Sequence, residues 1–124
     1  MLSLSGVYTA LVTPFRNGEV DYPALRALLQ EQLDAKVAGV VPVGTSGESP
    51  TLSVAEHIKV IEETIKFVAG RCQVIAGTGA NSTREALEFT TIPRQEYWSG
   101  LPFPSPCKGT NPISMVEGTR PFPV

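Results

Sequence analysis

A strand signal, a glycine turn and a helix start follow one another without a gap in residues 39–56, which read GVVPVGTSGESPTLSVAE. The valine-rich run over residues 40–43 favours a strand that is buried on both faces, as in a parallel sheet covered by helices. Gly44 and Gly47 allow a sharp turn and a close approach of the backbone to a ligand at the carboxyl end of that strand. Small anions are bound at such places. The segment therefore predicts one βα unit of an α/β protein.

Two further βα units flank this one, because strand and helix signals alternate over the first 90 residues. The three strands are predicted over residues 7–12, 40–43 and 73–76. Asn17 and Gly18 predict a turn, Asp21 predicts the N-cap of the first helix, and Pro23 suits its first turn. The apolar stripe of this helix is formed by Leu25, Leu28, Leu29 and Leu33.

The second and third helices have similar start signals. Ser53 and Glu56 have the spacing of a capping box, and Ser82 and Glu85 repeat it. The second helix is predicted to end at Gly70. We expect its buried face to consist of Val54, Ile58, Ile61, Ile65 and Val68.

Residues 91–124 lack this alternation. They hold seven of the eleven prolines, which interrupt both helices and central strands. No apolar periodicity replaces the lost pattern. We therefore expect two parts, an α/β unit over residues 1–90 and a disordered proline-rich tail over residues 91–124.

The composition argues against nucleic-acid and membrane partners. The net charge is −2 and the basic residues are scattered, so they form no basic stripe. No apolar run approaches the roughly 18 residues of a membrane span, and signal-peptide features are missing, so we expect a cytoplasmic location. Cys72 and Cys107 have no metal-ligand spacing, and we expect neither a metal nor a cofactor.

Periodicity alone leaves the sheet type open. Three βα units fit either an open doubly wound sheet or part of an eight-stranded barrel. A dinucleotide site is one alternative, since residues 77–82, GTGANS, nearly match G-x-G-x-x-G. However, Ser82 replaces the third glycine, and the acidic residue expected about twenty positions later falls among the prolines. The nucleotide site is therefore the weaker hypothesis.

Three short motifs together resemble the N-terminal part of one enzyme family. They are ALVTPF at residues 10–15, VGTSGES at residues 43–49 and AGTGAN at residues 76–81. Their order and spacing are similar to those of the dihydrodipicolinate synthase family, pyruvate-dependent class I aldolases that include N-acetylneuraminate lyase. The resemblance covers residues 6–90 and implies a partial TIM barrel, made of its first three βα units. Residues 91–124 instead resemble translated interspersed-repeat sequence.

The resemblance also implies a reaction. Family members form a Schiff base between a lysine and pyruvate, and the resulting enamine attacks an aldehyde. In the synthases, the aldehyde is aspartate semialdehyde, the enzyme is a 4-hydroxy-tetrahydrodipicolinate synthase, and the pathway leads to lysine. Thr45 and Ser46 match the pair that holds the pyruvate carboxylate, and Thr45 also matches a hydroxyl of the proton relay. Members of the family are homo-oligomers.

The Schiff-base lysine of the family has no match in this chain. Lys36, Lys59 and Lys66 lie in predicted helices, and Lys108 lies in the proline-rich tail. A nucleophilic amine must be desolvated or lie beside another cation, and lysines on a helix surface are neither. We therefore expect an N-terminal fragment that is inactive alone. Two other functions stay open, namely binding of a small carboxylate without catalysis and association with a full-length homologue.

Lysine-sensitive members of the family imply a second, inhibitory site. The positions that match contacts to the inhibitor lysine are Ser49, His57, Asn81 and Glu85, whereas Val54 departs from the pattern. A simpler interpretation is open for several of them. Glu85 completes a capping box, Asn81 suits a turn, and His57 is a surface histidine beside a helix start.

Overall fold

The computed structural model describes residues 4–89. Its strands are β1 (Tyr8–Ala10), β2 (Phe15–Arg16), β3 (Glu19–Val20), β4 (Gly39–Val41) and β5 (Gln73–Val74). Its helices are α1 (Tyr22–Asp34), α2 (Val54–Val68) and the helical residues 83–89, here named α3. Two short 3₁₀ turns, Thr45–Gly47 and Ser49–Thr51, follow β4. The order β1, α1, β4, α2, β5, α3 confirms the predicted alternation of strands and helices.

The sheet that carries this alternation is parallel. Its strand order is β1-β4-β5, and both neighbouring pairs are parallel. Hydrogen bonds continue past the ends of the strands, since the Ile75 amide donates to the Val40 carbonyl at 2.9 Å and the Gly77 amide to the Pro42 carbonyl at 3.0 Å. The α/β class predicted from the sequence is therefore confirmed for the described residues.

All three strands are shorter than predicted. β1 covers residues 8–10 rather than 7–12, β4 residues 39–41 rather than 40–43, and β5 residues 73–74 rather than 73–76. Beyond the end of β4, Val43 has a φ of +48° and has left the extended region. The valine run predicts a longer strand because β-branched residues normally favour the extended conformation.

A small antiparallel hairpin, β2–β3, lies between β1 and α1. Its turn residues Asn17 and Gly18 have φ values of +54° and +83°, the left-handed pair that suits a tight hairpin. The turn confirms its prediction, whereas the two strands were not predicted. Asp21 then caps α1, because its Oδ1 accepts from the Ala24 amide at 3.0 Å while Oδ2 pairs with Arg16 at 2.7 Å.

The core joins both long helices to the sheet. α1 packs against α2, and α2 contacts β5. The most deeply buried apolar residues are Leu11, Leu25, Leu29, Val40, Val43, Val60, Ile61 and Val68. Leu25 and Leu29 confirm the predicted stripe of α1, and Leu28 and Leu33 are half-buried.

The buried face of α2 differs from the predicted one. Of the predicted residues Val54, Ile58, Ile61, Ile65 and Val68, Ile61 and Val68 are buried, and the other buried residues are His57, Val60 and Thr64. Val54 is 40% exposed. Two polar side chains take its place because they find partners inside: Thr64 Oγ1 donates to the Val60 carbonyl at 2.8 Å, and His57 Nε2 lies 2.7 Å from the Gly77 carbonyl. Apolar periodicity gives no sign of such hydrogen bonds.

The ends of α2 agree with the sequence. Ser53 Oγ accepts from the Glu56 amide at 3.3 Å, and a Glu56 carboxylate oxygen accepts from the Ser53 amide at 2.9 Å, which completes the capping box. At the other end, Ala69 and Gly70 have φ values of +48° and +77°. This left-handed pair ends the helix at the predicted place.

Some predictions lie outside the described residues. They are the disorder of residues 91–124, the boundary at residue 90, and the surroundings of Cys107 and Lys108. Within residues 4–89, no helix has the length and apolar character needed to cross a membrane. The same residues hold no group of three or more His, Cys, Asp or Glu side chains arranged to bind a metal.

Candidate functional site

The loops after the three parallel strands meet at one edge of the sheet, because the carboxyl ends of parallel strands lie together. These loops cover residues 11–14, 42–48 and 75–81. The Leu11 amide donates to the Val41 carbonyl at 3.0 Å, and the Gly77 amide donates to the Pro42 carbonyl at 3.0 Å. β4 and the loop that follows it are therefore bonded to both neighbouring loops, as a site built from several strand ends requires.

The central loop contains an exposed helical turn. In the 3₁₀ turn Thr45–Gly47, the Gly47 amide donates to the Gly44 carbonyl and the Glu48 amide to the Thr45 carbonyl, each at 3.1 Å. The first amides of such a turn have no acceptor within it and are left to bind an outside group. Thr45 and Ser46 are both exposed. Two hydroxyls and the free amides thus lie together at the carboxyl edge, an arrangement suited to a small carboxylate.

Thr13 fixes the end of this turn. Its hydroxyl donates to the Gly47 carbonyl at 2.7 Å, and Thr13 is 4% exposed. A side chain at Gly47 would approach the Leu11 carbonyl to 3.1 Å. Sequence reasoning did not select Thr13 as a site residue, although it lies in the ALVTPF motif. The only available signal was a hydroxyl directly after a strand.

The start of the turn is held by strained and closely packed backbone. Val43 is 1% exposed and has a φ of +48°, a conformation that is costly for a β-branched residue. Gly77 lies directly against it, because a Cβ at Gly77 would be 2.4 Å from the Val43 carbonyl oxygen and 2.8 Å from the Gly44 amide nitrogen. The near match to a dinucleotide loop includes Gly77, and the structure gives this glycine instead a packing role beside the turn.

His57 lies behind these loops and not on the surface. It is 1% exposed, so its interpretation as a surface histidine is wrong. Nε2 lies 2.7 Å from the Gly77 carbonyl and Nδ1 lies 3.2 Å from Ser49 Oγ, while the ring stacks on Phe89 at 3.9 Å between centroids. Burial lowers the pKa of His57 below its usual value, and the hydrogen bond to Gly77 opposes that shift in part.

The other candidate residues of the inhibitory lysine site lie in two places. Ser49 is half-buried and bonded to His57, whereas Asn81 and Glu85 are exposed. Glu85 precedes Phe89 by four residues in α3 and shares its side of the helix. The Glu85 amide also contacts Ser82 Oγ at 3.5 Å, which is the N-cap half of the predicted capping box. The structure therefore joins Ser49 to His57 and places Glu85 one turn from the ring that covers His57.

Among the described residues, one buried polar atom has no partner. It is the hydroxyl of Thr78, which is 2% exposed and follows Gly77 in the loop after β5. The lysines of residues 4–89 lie outside the three loops at the carboxyl edge of the sheet. Lys36 follows α1, and Lys59 and Lys66 belong to α2, where the Lys59 ammonium lies 4.6 Å from the centre of the Tyr22 ring.

Comparison with known proteins agrees with these features. The sequence model of the Dihydrodipicolinate synthetase family matches residues 3–100. The 4-hydroxy-tetrahydrodipicolinate synthase of Methanococcus maripaludis strain C6 is 59% identical over 87 residues, which are 70% of this chain and 30% of the relative. The chain thus spans about 30% of the length of that curated relative.

Solved structures give the same result. The crystal structure of dihydrodipicolinate synthase from Aquifex aeolicus matches with a TM-score of 0.72 and 48% identity, over 74% of this chain and 31% of the other. The chloride-inhibited dihydrodipicolinate synthase from Acinetobacter baumannii, complexed with pyruvate, matches with a TM-score of 0.71 and 42% identity, over 75% and 32%. The chain belongs to the dihydrodipicolinate synthetase family.

Proposed function

We propose that the turn Thr45–Gly47 holds the carboxylate of pyruvate, as the substrate-binding part of a 4-hydroxy-tetrahydrodipicolinate synthase. The observation that carries the proposal is the pair of exposed hydroxyls on a helical turn at the carboxyl edge of a parallel sheet. The relative complexed with pyruvate supports the choice of ligand. In the whole enzyme, Thr45 would also pass a proton in the Schiff-base condensation of pyruvate with aspartate semialdehyde, in lysine biosynthesis.

The proposal assigns binding, and not turnover, to this chain by itself. Lys36, Lys59 and Lys66 lie outside the three carboxyl-edge loops, so none of them is next to a carboxylate on the turn. Binding the carboxylate alone does not lower the barrier to carbon–carbon bond formation. More widely, we propose that this chain forms the first three βα units of a TIM barrel. The barrel would belong to a homo-oligomeric cytoplasmic lyase, in which the other βα units supply the lysine that forms the imine. Association with a full-length homologue is the second candidate.

Titration of the full chain with pyruvate tests this function. We expect the amide signals of residues 45–47 to shift in nuclear magnetic resonance spectra, and Thr45→Val to weaken pyruvate binding by about tenfold, as for one lost hydrogen bond to a charged group. Thr51→Val is the matched control, because Thr51 is also an exposed hydroxyl in a neighbouring 3₁₀ turn. Equal affinities for wild type, Thr45→Val and Thr51→Val would contradict the proposal. Borohydride with pyruvate should leave the mass unchanged.

An inhibitory site for lysine is proposed at Ser49, His57, Asn81 and Glu85. The Ser49–His57 hydrogen bond and the position of Glu85 near Phe89 support it. Both ring nitrogens of His57 already have partners, so an inhibitor that contacts the ring must displace Ser49 or Phe89. Titration with lysine should therefore shift the Ser49 and Phe89 signals together, and Glu85→Gln should remove the shift.

A further inference from the structure

His57 connects four segments around the candidate site. It belongs to α2 and contacts Ser49 in the second 3₁₀ turn, Gly77 in the loop after β5, and Phe89 in α3. The ring is 1% exposed and nearly parallel to that of Phe89, with 3° between the planes. Because water is excluded, each of its hydrogen bonds is stronger than on a surface.

The two partners fix the state of the ring. The Gly77 carbonyl only accepts, so Nε2 carries the hydrogen and donates it across 2.7 Å. In the neutral ring Nδ1 is then an acceptor, and the Ser49 hydroxyl donates to it across 3.2 Å. Burial, which lowers the pKa of His57, agrees with the neutral ring. The bonds therefore select the Nε2–H tautomer.

These bonds lead directly to the turn that holds the carboxylate. The carbonyl held by His57 belongs to Gly77, whose Cα lies against the Val43 carbonyl and the Gly44 amide. Those two groups lie directly before the turn Thr45–Gly47. On its other side, Ser49 follows the turn after one residue, Glu48, which is itself in the left-handed region with a φ of +56°. His57 thus contacts Gly77, which packs behind the start of the turn, and Ser49, which lies two residues after its end.

We propose that His57, as the Nε2–H tautomer, is a positioning residue that fixes the Thr45–Gly47 turn by holding Gly77 behind it and Ser49 after it. The side chain touches no substrate in this role. The strained backbone of Val43 makes this positioning necessary, because a β-branched residue in the left-handed region returns to extended backbone unless its surroundings hold it. The consequence for pyruvate affinity rests on the proposed function, whereas the consequence for the order of the turn does not.

Three variants of the full chain test the proposal. His57→Leu fills the same space without a donor, and His57→Gln restores an amide donor for the Gly77 carbonyl. Thr64→Val is the control, because Thr64 is buried on the same face of α2 but bonds only to Val60 within the helix. The readouts are hydrogen exchange of the Gly47 and Glu48 amides, relative to amides of α1, and the dissociation constant for pyruvate.

We expect His57→Leu to accelerate exchange at Gly47 and Glu48 by about tenfold and to weaken pyruvate binding by a similar factor, as the loss of one buried hydrogen bond implies. His57→Gln should stay within about threefold of wild type in both readouts. Thr64→Val should change neither readout relative to α1. Equal relative exchange in His57→Leu and Thr64→Val would overturn the proposal.

Two outcomes separate this proposal from the pyruvate site. If the wild-type chain does not bind pyruvate, the proposed function fails, while the exchange data still decide whether His57 orders the turn. If His57→Leu does not fold, nitrogen-15 spectra of the wild-type imidazole decide instead. A proton on Nε2 with none on Nδ1 supports the proposal, and a proton on Nδ1 overturns it.

Discussion

Three polar side chains that an apolar pattern would place at the surface are buried because each has a partner inside. Thr13 donates to Gly47, Thr64 to Val60, and His57 to Gly77. A buried polar group without a partner is costly, whereas a satisfied one adds about 1 kcal/mol to stability. Composition and spacing do not carry this information. At the scale of single residues, the bonds of Thr13 and His57 therefore order the loops of the site by joining segments that lie far apart in sequence, whereas the Thr64 bond lies within α2.

The lowered pKa of His57 predicts a dependence of stability on pH. In the unfolded chain the imidazole titrates at about 6.5, whereas burial keeps the folded ring neutral to lower pH. The unfolded state therefore binds a proton first as the pH falls. The free energy of unfolding should decrease below about pH 6.5, by at most about 1.4 kcal/mol per pH unit.

Urea denaturation of wild type and His57→Gln from pH 7 to pH 5 measures this effect. The free energy of unfolding of the variant should depend less steeply on pH in this range, since the variant lacks the titrating imidazole. The capping carboxylate of Glu56 also has a lowered pKa, through its hydrogen bonds to Ser53. The stability that this carboxylate adds begins to fall only as the pH drops through the ordinary range of a glutamate, which is more acidic than the pH at which the unfolded histidine takes up its proton. Parallel slopes for the two proteins would show that His57 does not titrate as inferred.

At the scale of elements, the helix ends could be predicted from the sequence, whereas the buried face of α2 could be predicted only in part. The Asp21 cap, the Ser53–Glu56 capping box and the Gly70 stop depend on neighbours within a few residues, so the sequence identifies them directly. The buried face of α2 depends on what packs against it. The bond from His57 to the loop after β5 helps to set that face, and no local pattern encodes it.

Two glycines two residues apart provide a matched prediction about the loop after β5. A Cβ at Gly77 would overlap the Val43 carbonyl, whereas at Gly79 nothing lies within 4 Å. Gly77→Ala should lower the free energy of unfolding by about 1–3 kcal/mol, because backbone must move to admit the methyl group. Gly79→Ala should change it by less than about 1 kcal/mol. Equal effects in urea denaturation would contradict the close packing.

At the scale of the whole molecule, the described residues share a single core. It contains residues of α1, α2 and β4 together with residues that follow β1 and β5. Removing one large side chain from this core should therefore weaken the helices and the sheet together. Cooperative loss of both is the expected behaviour of a small unit with one core.

Leucine-to-alanine changes at two depths test this expectation. Leu29 is 0% exposed and Leu4 is 55% exposed. Leu29→Ala should lower the free energy of unfolding by about 2–5 kcal/mol, and Leu4→Ala by no more than about 0.5 kcal/mol. Circular dichroism and amide hydrogen exchange in the helices and strands should report the same unfolding transition. A loss confined to α1 would show that the core is not shared.

The sequence by itself determined the alternation of three parallel strands with three helices, the helix ends, the hairpin turn and the family. These follow from local backbone preferences and from three motifs whose spacing is visible in one dimension. Tertiary structure decided where β4 ends, which face of α2 is buried, and how the turn at Thr45 is held. Each of these depends on contacts between distant segments: Gly77 against Val43, His57 with Ser49, and Thr13 with Gly47. Such contacts decide the outcome because leaving a buried polar group unpaired costs more free energy than the local preferences that the sequence displays. Tertiary packing likewise holds Val43 in the left-handed region against the local preference of a valine.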